Sequence, residues 1–377
     1  MTQTANRPLQ LDTVARAGLG RVGRRLREGQ PVTVAYFGGS ITWGGKASDI
    51  EKTSYRALTT AWLRTQFPDA AITEVNAAIG GTGSDLGAYR LRQDVLRHKP
   101  DVVFIEFAVN DQGTDPAVTR AAFEGIVRHA RRACPNADLC LVYTLCREHL
   151  PLFEKSEVPA PIAVHEAIAD HYGLPSVHMG RAVARDLQAG TLSWETFSTD
   201  TCHPTDAGFA HYARTLQLLL PTLFEMPALS ADAASLPAPL NPEPWEHADL
   251  RAMTPQDAAG AWRYTPQQFK GGWDYFHGLL ECDTVGADLT LPFTGTTVGL
   301  LYQLGPESGD ITVAVDDGEP QTVRVFDQYS PSFWRPHYRV LFSGLKPGPH
   351  TLRVRLAESR DPPATGHTAR VGYVLSR

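Results

Sequence analysis

Two apolar rhythms alternate along the first half of the chain. Short runs of β-branched and aromatic residues occur at 32–37 (VTVAYF), 71–76 (AITEVN), 102–107 (VVFIEF), 139–144 (LCLVYT) and 174–178 (LPSVH). They are too short for helices and, for the most part, too continuously apolar for strands with a wet face, so they predict buried strands. Between them, apolar residues recur every three or four positions: Leu11, Val14, Leu19, Val22 and Leu26; Tyr55, Leu58, Trp62 and Leu63; Val118, Ala122, Ile126 and Ala130; Phe209, Tyr212, Leu216 and Leu220. This spacing predicts helices over 11–28, 54–67, 84–98, from Pro116 onward, over 159–172 and 180–189, and a last one capped by Thr205. Strands alternating with helices make a parallel sheet covered on both faces. Five strands suggest a three-layer α/β/α domain in the flavodoxin-like order 2-1-3-4-5. That order brings the turns after the first three strands to one rim.

The rhythm then changes. Met226 to Trp245 is rich in Pro and Ala and has no clear period, which reads as an extended linker. Beyond it, ADLTLPF, TVGLLYQL, DITVAVDDG, QTVRVF, YRVLF and HTLRVRL alternate polar and apolar residues between Gly, Pro and Asp-Gly turns. About eight or nine short strands at this spacing predict an all-β, jelly-roll-like sandwich. The expected organisation is therefore 1–225 for the α/β domain, 226–245 for the linker and 246–377 for the β domain.

Composition narrows the function classes. A chain of 377 residues suits two domains, and a net charge of −6 with no Lys/Arg stripe argues against a nucleic-acid partner. The arginines at 16, 21, 24, 25 and 27 read as the solvated face of a helix. No apolar run approaches the ~20 residues of a membrane span, and the N-terminus lacks the apolar core of a secretory signal. The five cysteines, at 134, 140, 146, 202 and 282, form neither a CxxC pair nor a disulfide framework. Reduced thiols and a cytoplasmic enzyme are expected, with secretion possible only through a leader absent here.

The first strand runs into Gly38-Gly39-Ser40-Ile41-Thr42. The P-loop pattern fails here because Ser40 stands at its first Gly and Ala47 at its Ser/Thr. GxGxxG fails at Ser40, and the nucleophile elbow GxSxG fails at Thr42. What remains is a serine at the carboxyl end of a central strand, where open α/β sheets hold their ligands. Far along the chain, Asp200-Thr201-Cys202-His203-Pro204 places an acid and a histidine on one turn before a helix. Asp200 can there accept from His203 Nδ1, leaving Nε2 to take a proton from Ser40. Asp200, Cys202 and His203 lack the further ligand a metal needs, and no cofactor motif is present.

Four blocks occur in order: GGSIT after the first strand, NAAIGGTGS after the second, AVND after the third and DTCHP before the last helix. Together they resemble the SGNH (GDSL-type) hydrolase family over roughly residues 30–222. The resemblance implies Ser40 as nucleophile, His203 as general base and Asp200 as its orienter. It also implies an oxyanion hole made by the N–H groups of Ser40 and Gly81 and the side-chain amide of Asn110. Glycine at 81 is expected to permit a close backbone approach, and an amide is a neutral donor suited to a developing oxyanion. Two departures stand out. Gly39 replaces the Asp of the usual GDS, and Ala108 replaces the Gly of the usual GxND. The GGSIT form is similar to family members described as carbohydrate esterases, often with an accessory β domain.

The resemblance thus implies a serine esterase acting on a small acylated substrate, a short acyl ester such as an acetylated carbohydrate. The alternatives are a lipid-directed esterase on the same machinery and a non-catalytic glycan-binding protein. Trp43 is expected either to line the pocket or to pack in the core. Among the aromatics Trp262, Trp273, Tyr275, Tyr329, Phe333 and Trp334, most are expected in the core, with Tyr329 to Trp334 as a candidate sugar-stacking surface. Glu106 is expected to pair with a structural arginine, and Cys202 to be a packed small side chain.

Overall fold

In the computed structural model, which describes residues 12–14, 16–232, 236–266 and 275–377, the chain divides into two units, one ending at His247 and one spanning Ala248–Arg377. The first carries strands β1 (Thr13–Val14), β2 (Val32–Gly38), β3 (Ile72–Asn76), β4 (Val102–Glu106), β5 (Asp138–Val142) and β6 (Ser176–Val177). Its α-helices are α1 (Gly20–Arg27), α2 (Ser40–Trp43), α3 (Tyr55–Gln66), α4 (Ser84–Asp94), α5 (Pro116–Ala133), α6 (Leu150–Glu154), α7 (Ala160–Tyr172), α8 (Met179–Gln188), α9 (Trp194–Phe197) and α10 (Asp206–Glu225). The sheet order is β3-β2-β4-β5-β6-β1. The five expected strands pair in parallel in the expected order. β4 and β5 are buried throughout and β2 at all but Thr33, which is why they read as apolar runs.

The segment 11–28 departs from the expected single helix. Thr13–Val14 instead adds an antiparallel edge strand to β6, and the helix begins at Gly20. Between them the chain is tied to the end of α10: Gly18 N–H donates to Pro227 O and Leu19 N–H to Leu223 O, both at 2.8 Å. A Cβ at Gly18 would lie 2.3 Å from that of Met226. These contacts override the local period, which cannot record them. Leu11 lies outside the described residues.

Residues 226–245 carry no α-helix or strand among those described, yet they are fastened along the first unit. Glu124 accepts from the N–H groups of Leu240 (2.6 Å) and Asn241 (2.7 Å), Arg128 donates to Pro237 O (2.8 Å), and Trp245 N–H donates to Ala121 O (3.0 Å).

The second unit is all-β. Its strands are β7 (Asp249–Ala252), β8 (Arg263–Pro266), β9 (Gly278–Cys282), β10 (Asp288–Thr294), β11 (Thr297–Leu304), β12 (Ile311–Val315), β13 (Gln321–Val323), β14 (Arg335–Ser343), β15 (Pro349–Leu356) and β16 (Ala369–Ser376). They form two antiparallel sheets, β10-β15-β12-β13 and β14-β11-β16-β9-β8, with β7 also on β16. Leu289, Val313 and Val354 from the first sheet share a core with Leu300, Leu280 and Val371 from the second. β10 shows the cause, since every second residue is buried. Two strands beyond Trp245, β7 and β8, are short and carry polar residues, so the alternation count undershoots.

Candidate active site

Ser40 is the first residue of α2, reached from β2 through Gly39 in extended backbone (φ −94°, ψ −154°). The turn closes on itself, with the N–H groups of Gly44 and Gly45 donating to Ser40 O at 3.1 and 2.8 Å. On the far side lies the loop between α9 and α10. Asp200 Oδ1 accepts from the N–H groups of Cys202 (2.8 Å) and His203 (2.7 Å). Ser198 Oγ donates to His203 O (2.7 Å), and Trp194 Nε1 donates to Asp200 O (2.9 Å). Thr205 then caps α10 by accepting from Gly208 N–H.

This loop aims one imidazole. Asp200 Oδ2 lies 3.0 Å from His203 Nδ1, and His203 Nε2 lies 2.8 Å from Ser40 Oγ, across 163 residues of chain. A carboxylate only accepts, so Nδ1 carries the proton and Nε2 faces the serine hydroxyl as acceptor. Burial alone would raise the Asp200 carboxyl. The two backbone N–H groups and the imidazole outweigh it and hold it below the usual carboxylate range. A Cβ at Gly45 would come within 3.1 Å of His203 Cδ2, so glycine there leaves the ring its room.

The turns after β3 and β4 carry Gly81 and Asn110. Gly81 has φ +71°, and a Cβ there would meet nothing within 4 Å. Glycine here also meets the demand of a left-handed backbone, and no protein atom crowds the position. Asn110 lies against the Ser40 turn: a Cβ on Gly39 would stand 1.8 Å from Asn110 Oδ1. The missing aspartate of the usual GDS therefore has a local cause, because the Asn110 amide occupies that space.

Three buried residues that the sequence reading passed over hold these turns. Arg90 donates to the carbonyls of Gly38 (2.9 Å) and Ala77, joining the ends of β2 and β3. Asp111 accepts from Ser84 N–H (2.7 Å) and pairs with His165 Nε2 (2.9 Å), tying the Gly81 turn to the Asn110 turn. His165 stacks on Phe123 with centroids 3.7 Å apart. The Asn110-Asp111 dipeptide was a visible signal for Asp111, whereas nothing local marks Arg90 or His165.

Other expectations resolve as follows. Glu106 has no arginine partner among the described residues; it accepts from Thr42 Oγ1 (3.1 Å) and Thr144 Oγ1 (2.9 Å). Cys202 packs against the core beside Cys146, and that neighbour together with burial pushes the Cys146 thiol well up. Trp43 is not core; it is 40% exposed. Tyr329 is 50% exposed, with the Arg335 guanidinium 5.4 Å from its ring centroid. Trp334 is instead turned inward, donating to Glu307 Oε2 (3.0 Å) and packing against Gly305. Trp262 is buried, Tyr275 is half-buried and Trp273 lies outside the described residues. A cavity of about 190 Å³ opens beside the Asn110 turn, walled by Gln112, Thr114, His149, Leu152 and Pro161. Among the described residues no cluster of His, Cys, Asp and Glu suits a metal ion, and no helix is long and apolar enough to cross a membrane.

Comparison with known proteins bears on this arrangement. A two-domain esterase (CEX) active on acetylated mannans superposes with a TM-score of 0.80 at 24% identity, covering 98% of each chain. The same esterase co-crystallised with mannopentaose gives 0.78 at the same identity and coverage. A catalytic mutant of an acetylxylan esterase from Geobacillus stearothermophilus matches at 23% identity and a TM-score of 0.42, covering 50% of this chain and 94% of its own. No curated protein matches the chain by sequence. The GDSL-like Lipase/Acylhydrolase family matches residues 36–211. That span runs from within β2 to the start of α10, with Ser40, Gly81, Asn110, Asp200 and His203 all inside it, and over these residues the first unit matches the GDSL-like lipase/acylhydrolase family.

Proposed function

We propose that this protein is a serine esterase that removes short acyl groups, acetyl foremost, from carbohydrate esters. The observation that carries the reading is the continuous relay from Asp200 through His203 to Ser40, at 3.0 and 2.8 Å. The family supplies the hydrolase class, and the likeness over both units to an esterase described as active on acetylated mannans supports the substrate class.

In this reading Ser40 Oγ attacks the ester carbonyl while His203 Nε2 takes its proton. Asp200 keeps the ring oriented and stabilises the imidazolium. The oxyanion of the tetrahedral intermediate is met by the N–H groups of Ser40 and Gly81 and by the Asn110 amide. His203 returns the proton to the departing sugar oxygen, leaving acetyl-Ser40. Water, deprotonated by the same Nε2, then releases acetate. Trp43 and Tyr329 are the exposed aromatics best suited to stack on sugar rings.

The test is acetate release from acetylated mannan, xylan and mono- and oligosaccharides, alongside a chain-length series of p-nitrophenyl esters. Ser40→Ala is expected to abolish turnover of p-nitrophenyl acetate. Undiminished hydrolysis by Ser40→Ala defeats the reading, and rates that climb beyond C8 redirect it to lipid esters.

A further inference from the structure

We propose that Glu106 is a positioning residue of the esterase site, a buried carboxyl that locks three active-site loops into one register. The inference rests on the serine-esterase reading above. Glu106 ends β4, directly beside Gly38 of β2 in the parallel ladder. It therefore sits under the point where β2 gives way to the nucleophile turn.

Each donor on the carboxyl comes from a different loop. Thr42, two residues past Ser40, donates to Oε2 at 3.1 Å. Val109 and Asn110 follow directly on the end of β4, so the backbone that carries the Glu106 carboxyl leads within four residues to the Asn110 amide. Thr144, just past β5, donates to Oε1 at 2.9 Å. The Thr144 segment reaches the third part of the site, since Arg147 N–H donates to Thr201 O at 2.7 Å, inside the Asp200–His203 loop. Nucleophile, oxyanion amide and base loop thus share one anchor. Thr42 cannot rotate freely, because Tyr55 OH lies 2.8 Å from the same hydroxyl. Its single hydrogen goes to the carboxylate, and Tyr55 supplies the other bond.

The cost of this arrangement argues for a purpose. Glu106 is 1% exposed, and a buried carboxyl lacking a cation is a poor choice for a core. Burial pushes it up to about 7, the Thr144 and Thr42 hydroxyls opposing that rise and Asp111 adding to it. The other ionisable groups that face it are Tyr55 from α3, Tyr212 from α10 and Cys146 beyond β5, all neutral at pH 7. Leucine would fill such a site without that burden, but it would accept no hydrogen bond from Thr42 or Thr144. Glu106 itself touches neither Ser40 nor His203 in the hydrogen-bond network, so its effect passes through the loops it holds.

The experiment compares Glu106→Ala with Glu106→Gln on p-nitrophenyl acetate. Glutamine keeps an acceptor oxygen and can give its amide hydrogen to the other threonine hydroxyl. Displacement of catalytic groups by about 1 Å costs on the order of 10²-fold. Glu106→Ala is therefore expected to lower kcat by about that factor with KM within twofold, and Glu106→Gln to recover to within about fivefold of wild type. Should Glu106→Ala fail to fold, Thr42→Val and Thr144→Val decide the matter, each expected to lower kcat roughly tenfold. Wild-type kcat in Glu106→Ala, or in both threonine variants, overturns the inference, as does a loss that glutamine does not restore. Ser40→Ala run in parallel separates the two ideas. If it is inactive while Glu106→Ala is unimpaired, only the positioning role falls; if it is active, the esterase reading itself falls.

Discussion

Replacing Gly39 by alanine tests whether the space beside Ser40 is reserved for the Asn110 amide, the oxyanion donor of the proposed mechanism. The backbone poses no obstacle, because φ −94° and ψ −154° are extended and open to alanine. The whole perturbation is one methyl group. Its carbon would stand 1.8 Å from Asn110 Oδ1 and 2.8 Å from Asn110 Cγ, against an ordinary contact of 3.4–4 Å. The amide must therefore retreat by roughly 1.5 Å, enough to carry its N–H out of the usual hydrogen-bond range. Loss of one oxyanion donor costs roughly 10²–10³ in kcat, or about 3–4 kcal/mol of transition-state stabilisation. The expected result is a fall of that size in kcat on p-nitrophenyl acetate, with little change in KM because the donor acts mainly on the transition state. A double-mutant cycle identifies the route. If the methyl acts by displacing Asn110, Gly39→Ala in an Asn110→Ala background should cost almost nothing further. Additive losses, or a Gly39→Ala enzyme within threefold of wild type, would refute the reasoning.

Two further outcomes are expected. Asp200→Asn should lower kcat by roughly 10⁴-fold, the scale set by triads that lose the orienting carboxylate; an enzyme within tenfold of wild type would show that His203 is oriented by something else. Glu106→Gln should change the pH dependence of stability. The folded carboxyl sits at about 7 against an ordinary 4.5. Below 4.5 both states are protonated, and the group costs nothing. As pH rises toward 7 the unfolded chain releases a proton that the folded protein keeps, so stability falls. Above 7 the cost is complete, about 3 kcal/mol. Urea denaturation should therefore show Glu106→Gln gaining on wild type between pH 5 and pH 8. A stability difference that stays constant over this range would mean that Glu106 is ordinary.

The amino-acid sequence by itself determined the alternation of buried strands and helices in the first unit, the order of its parallel sheet and the β character of the second. Strand and helix character is a property of local period, and burial on both faces writes itself into β2, β4 and β5 as unbroken apolar runs; the strand order followed from the alternation of strands with helices by the doubly-wound precedent. The pairing of Asp200 with His203 was likewise within reach, because only Thr201 and Cys202 separate them on one turn. The tertiary structure alone decided the rest. That Gly39 is small because Asn110 leans on it, that Glu106 meets two threonines rather than an arginine, that Thr13–Val14 joins an edge and that residues 226–245 lie fastened along a helix are all contacts between segments far apart in the chain. Gly81 shows the same division: its identity was visible, but the left-handed φ it takes in open space was a matter of backbone geometry. A pattern of residue types records which face of an element is buried; which distant side chain fills the space opposite is set only when the elements pack.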